Sequence, residues 1–141
     1  MLALAAPSAL AARADGKAFW GPLRVDGKSE FPVYDALGVG IYQMQLGWVA
    51  AAPKRSRNPA NPRDPAYHWS TEIDYAIQQA ARYHMRILLQ VSQTPRWANS
   101  GHAANYPPRR ASDLAAFVTA AARRYPSVHL WMISPLRSAC S

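Results

Sequence analysis

The sequence predicts an α/β fold built on a parallel sheet, and three observations carry that expectation. Apolar runs of strand length alternate with amphipathic helical segments in the order strand, helix, strand, helix, strand, which is the pattern of βα units. The strand-to-helix connections are long, about twenty residues each, and crowded with proline, while the returns at Tyr83–Met85 and Tyr125–Ser127 are short. Long connections over the carboxyl ends of parallel strands build ligand sites, and short returns complete the scaffold.

Taken in order, residues 1–16 form an alanine-rich tail. A first apolar stretch, Phe19 to Val25, ends at Asp26-Gly27, a strong turn signal. Leu37 to Leu46 alternates with β-branched and aromatic residues and reads as a buried strand. Pro53 to Pro65 is a loop. The next helix is capped by Ser70 or Thr71, carries Glu72 and Asp74 at its positive end, and shows an apolar face of Ile73, Ile77, Ala80 and His84. Tyr67 and Trp69 precede it as a staple onto its first turn. Arg86 to Val91 is a second buried strand. After a loop from Gln93 to Ala111, Ser112 caps a second helix with an apolar face of Leu114, Phe117, Val118 and Ala121, ended by Pro126. Val128 to Ile133 is a third strand, with Trp131 in the core.

Two α/β folds remain. A dinucleotide-binding sheet needs a glycine-rich turn after a first strand, but Gly38-Val39-Gly40 lies inside a strand and no phosphate-binding loop is present. A barrel of alternating strands and helices is preferred. Such a (β/α)8 TIM barrel takes about 250 residues, so 141 residues supply its first three to four βα units: a partial barrel over 17–133, with a tail at 134–141 that departs from the pattern.

Composition narrows the function classes. Half the residues are hydrophobic, which excludes disorder, and five Trp and seven Tyr suit either a core or surfaces that stack on sugars. The net charge of +8 raises nucleic acid as a partner. However, the basic residues fall in scattered pairs (Arg109–Arg110, Arg123–Arg124) or in the proline-rich stretch of Lys54, Arg55, Arg57 and Arg63. No nucleic-acid-binding signature accompanies them. Cys140 is the single cysteine, and His68, His84, His102 and His129 are too dispersed for metal-ligand spacing, so neither metal nor cofactor is expected. No apolar run is long enough to span a membrane. The N-terminus, with small residues at Ala9-Leu10-Ala11, resembles the late part of a secretory signal and predicts an exported protein.

Residues 31–133 resemble the first half of a clan-A-type glycoside hydrolase barrel of the cellulase and xylosidase kind. Leu37-Gly-Val-Gly-Ile-Tyr-Gln-Met-Gln-Leu-Gly-Trp48 is similar to that group's second strand. Gln90-Val-Ser-Gln-Thr-Pro-Arg-Trp-Ala-Asn99 resembles its third strand and loop, and Val128 to Ile133 its fourth strand. The resemblance implies hydrolysis of O-glycosyl bonds by two glutamates and a carbohydrate partner. It also implies that an acid/base glutamate follows the fourth strand, where this chain reads Ser-Pro-Leu-Arg-Ser-Ala-Cys-Ser141 instead. Gln43 stands where the group often has an arginine supporting the carboxylates.

A retaining glycosidase needs two carboxyl groups about 5 Å apart. None of the eight acidic residues, Asp15, Asp26, Glu30, Asp35, Asp64, Glu72, Asp74 and Asp113, immediately follows a predicted strand, so no catalytic residue is assigned. Trp48 and Trp97 follow strands and could stack on a pyranose, while Gln43, Gln90, Gln93 and Asn99 could bond its hydroxyls. Packing under the loops is the alternative role for the tryptophans, and polar filling of the barrel interior for the glutamines. The sequence therefore predicts an inactive partial glycoside hydrolase. A non-catalytic carbohydrate-binding or assembly fragment, self-associating through exposed half-barrel edges, is the second reading. A small basic nucleic-acid binder is the third.

Overall fold

The computed structural model describes residues 17–134; the leader-like tail at 1–16 and residues 135–141 of the divergent C-terminus lie outside the described residues. Strand β1 (Lys17–Phe19) is followed by a hairpin of β2 (Arg24–Val25) and β3 (Lys28–Ser29), helix α1 (Phe31–Ala36) and strand β4 (Val39–Gly47). A one-turn helix α2 (Trp48–Ala51) opens the first long connection. Then come α3 (Thr71–Arg82), β5 (Arg86–Ser92), α4 (Ala111–Arg124) and β6 (Leu130–Ile133).

The main sheet has four strands in the order β1-β4-β5-β6, and every pair in it is parallel. Within this sheet the spatial order follows the chain order, the β2–β3 hairpin lying outside it. A doubly wound sheet reverses its strand order at a switch point, whereas sequential order is what a barrel winds from. The fold is a mixed α/β arrangement with the parallel sheet of a partial βα barrel.

Strand register explains which side chains face the helices. Tyr42, Met44 and Leu46 pair with Ile87, Leu89 and Val91, and successive residues of a strand point to opposite faces. This set joins Phe31 and Tyr34 of α1, Ile73 and Ala80 of α3, and Phe117 and Ala121 of α4 in one core cluster. The opposite face carries Ile41, Gln43, Gln45, Arg86, Leu88, Gln90, Ser92, Leu130 and Met132, none of them buried. The strands read as buried are thus packed on one face. Gln43 donates from Nε2 to Gln90 Oε1 at 2.9 Å across that open face.

Local chemistry sets the boundaries. Asp26 and Gly27, at φ 49° and 76°, make the tight two-residue turn of the β2–β3 hairpin, where Asp-Gly suits two left-handed residues. Ser70 caps α3 by accepting from the Glu72 N–H at 3.2 Å. Two expectations are corrected. His84 is exposed and lies beyond the end of α3 in the left-handed region (φ 56°). There the bonds from His84 N to Ala81 O and from Met85 N to Ala80 O close the helix as glycine usually does. Ser112 does not cap α4, because the extended residue at that boundary is Arg110, which makes no side-chain capping bond. Trp69 also packs beyond α3; its ring stacks on Phe117 and meets Tyr125 edge-on, holding the first long connection against α4. The short helices α1 and α2 were not predicted.

Candidate functional site

All strands of the main sheet run the same way, so the connections that leave β4 (residues 48–70) and β5 (residues 93–110) rise from the same rim. The returns at residues 83–85 and 125–129 lie at the other end. Backbone and side-chain bonds tie the two long connections together. Val49 N donates to Gln93 O at 3.0 Å, and the Trp97 indole N–H donates to Ala52 O at 2.8 Å.

Between these connections a cleft of about 270 Å³ opens, lined by Gln45, Gly47, Ala50, His68, Ser70 and Gln93 among others. Gln93 leaves β5 with φ 63°, a left-handed conformation that costs a non-glycine residue about 1 kcal/mol. Non-glycine residues are held there mainly where a turn or a site requires it. Its carboxamide lies over Gly47, where a Cβ atom would come within 2.8 Å of Gln93 Oε1. The missing side chain at Gly47 is thus what seats Gln93. Gln45, exposed and one strand-repeat beyond Gln43, brings a second carboxamide to the cleft. The two-residue alternation through Gln43 and Gln45 was the signal in the sequence for it, and His68 carried none.

The remaining sequence-derived candidates separate. Trp48 is 2% exposed, stacked on Phe117 at 5.2 Å and edge-on to Trp97 at 5.6 Å, so its ring is closed to a ligand and forms the floor under the loops. Asn99 is also 2% exposed, and its Nδ2 donates to Ala103 O at 2.9 Å, bracing its own loop rather than reaching the cleft. Trp97 is half-buried, with the Arg55 guanidinium 4.5 Å over its ring. Gln43 and Gln90 satisfy each other below the rim. Of the candidates, Gln93 alone lines the cleft.

The carboxylates serve structure. Glu72 pairs with Arg24, Asp74 with Arg124, and Asp113 with both Arg55 and Arg110. Asp64 accepts from the backbone N–H of Ala66 and of Asn58, each at 2.9 Å, and those bonds hold its carboxyl below the usual range. Among the described residues no carboxylate lines the cleft, and no three His, Cys, Asp or Glu side chains group as metal ligands. No described helix is long and apolar enough to cross a membrane.

No sequence-family model and no curated protein matches the chain. Among solved structures, a family 39 glycoside hydrolase from the gut symbiont Bacteroides cellulosilyticus WH2 is similar in fold, with a TM-score of 0.59 at 12% sequence identity. The match covers 82% of this chain but only 23% of that one. At this identity the likeness is one of fold.

Proposed function

We propose that this chain is the first part of a glycoside hydrolase-type barrel, that its rim cleft grips a saccharide, and that it does not itself cleave glycosidic bonds. The observation that carries the reading is the cleft over the carboxyl ends of β4 and β5, where Gln45 and Gln93 present carboxamides to solvent. A carboxamide both donates and accepts, which matches the paired donor and acceptor of a sugar hydroxyl. The likeness to a family 39 glycoside hydrolase supports the same class. The expectation of no cleavage is supported by the lining of the cleft, which includes no described carboxylate, since acid/base with nucleophile chemistry needs two carboxyl groups facing one bond.

In this reading the open face of the sheet and its edge strands β1 and β6 are the surfaces through which the chain associates with a further half or a second copy. Export from the cell belongs to the same proposal. Titration with xylo- and cello-oligosaccharides by calorimetry, alongside a screen with aryl glycosides, tests it. Saturable binding without turnover is expected. Turnover above background, or no binding of any saccharide, overturns the reading. Sedimentation then reports on association, and a stable monomer refutes that part.

A further inference from the structure

Beside the same loops, Arg55 and Arg110 hold one carboxylate, and a third arginine lines the same cavity. Arg55, Arg109 and Arg110, with Trp97, Ser100 and Asp113, line a cavity of about 420 Å³ at the start of α4. Arg55 is fixed there. Its Nη1 donates to Asp113 Oδ1 at 3.0 Å, its Nη2 to Trp97 O at 3.4 Å, and its plane lies over the Trp97 ring. Arg110 reaches the same carboxylate, Nη2 to Oδ1 at 3.3 Å. Burial would raise the Asp113 carboxyl, but the bonds from Arg55 and Arg110 outweigh it and hold the group below the usual range, so it stays charged.

A structural ion pair explains Arg55 and Arg110 but not the third cation. The Arg109 backbone N–H donates to Ala98 O at 2.8 Å, which fixes where its side chain starts, and its guanidinium takes part in neither ion pair with Asp113. Three positive charges against one negative leave a surplus of two around the cavity. The open end of α4, which has no side-chain cap at Arg110, adds the positive end of its dipole. The planar carboxylate of Asp113 is already occupied by the guanidiniums of Arg55 and Arg110. Guanidiniums converging from several directions are matched by an anion with acceptors on several sides.

We propose that this cavity binds a tetrahedral oxyanion of the phosphate or sulfate type, free or as an ester on a larger ligand. Asp113 holds Arg55 and Arg110 in place, and Arg109 closes on the anion. The site is separate from the saccharide cleft and does not depend on it.

Calorimetric titration of the full chain with inorganic phosphate and with sulfate, in a zwitterionic buffer and against sodium chloride of equal ionic strength, tests this. Saturable one-to-one binding of the tetrahedral anions is expected. Arg109→Ala should weaken it about tenfold, the loss of one hydrogen bond to a charged group, with the melting midpoint unchanged. Arg82→Ala, which removes the same charge from exposed helix surface elsewhere, should bind as the parent does. A hexose 6-phosphate binding tighter than inorganic phosphate identifies an esterified ligand; equal or weaker binding identifies the free ion. Phosphate heats no different from chloride, parental binding by Arg109→Ala, or equal losses in both variants overturn the proposal.

Discussion

Replacing Trp48 separates a packing residue from a ligand platform. The ring is 2% exposed and lies between Phe117 and Trp97. Truncating a buried aromatic side chain to alanine costs about 3–5 kcal/mol, because the transfer energy is lost and the cavity does not collapse. A domain holds about 5–15 kcal/mol in total, so Trp48→Ala should remove about a fifth or more of the stability. With a urea dependence of about 1–3 kcal/mol per molar, the unfolding midpoint falls by about 2 M. Trp48→Phe behaves differently. The indole N–H is buried without a hydrogen-bond partner among the described residues, and an unsatisfied buried donor costs about 1–3 kcal/mol. Phenylalanine removes that donor and can keep a ring on Phe117, so its stability should fall within about 1 kcal/mol of the parent. Urea titrations followed by far-ultraviolet circular dichroism read both variants. A loss below about 1 kcal/mol in Trp48→Ala, together with lost saccharide binding, refutes the packing assignment.

His84→Gly should stabilise the chain by about 0.5–1 kcal/mol, seen as a raised urea midpoint, because the helix end needs a left-handed residue that glycine adopts freely. Gly47→Ala should leave stability nearly unchanged, since its φ of −71° suits alanine, while the new methyl pushes the flexible Gln93 carboxamide aside and weakens saccharide binding. Asp64 and Asp113 have carboxyls held below the ordinary value of 3.8, so they contribute stability above that pH that is lost as pH falls through the lower folded values. The urea midpoint should therefore decline on acidification below that value, and less steeply in Asp64→Asn. At the other extreme, burial pushes the phenols of Tyr42, Tyr67 and Tyr125 up to about 12. Their contribution is complete below the ordinary value of 10.0 and fades as pH rises towards 12, and ultraviolet difference spectra should show their ionisation coinciding with unfolding.

The sheet was legible because its signal is periodic. Leu37 to Leu46 and Arg86 to Val91 alternate strongly enough to locate β4 and β5 within two residues, and the unequal connections oriented the rim. Helix α1 was hidden because six residues, one of them Pro32, give too few turns for a period. His84 misled because its spacing from Ala80 fits a helical face, while the bond that ends α3 is made by backbone atoms. The site was less legible. A tryptophan after a strand reads alike whether it faces a ligand or the protein, and here the partner ring of Phe117, remote in sequence, decided for Trp48. Asn99 turned inward for a carbonyl four residues on. Gln93 was identifiable by position, but its backbone conformation was not.

The stitching between the two long connections has a dynamic corollary. Segments of this length ordinarily fray one by one, each with its own opening free energy. Here the amide of Val49 is capped by Gln93 and the indole of Trp97 by Ala52, while within the first connection the amide of His68 is capped by Ala51 and Arg123 of α4 reaches over to Ala60. Neither connection can lift away without breaking bonds to the other. The pair should exchange its protected amides with deuterium as one cooperative unit, so that the mouth of the barrel behaves as a single hinged plate instead of two independent flaps.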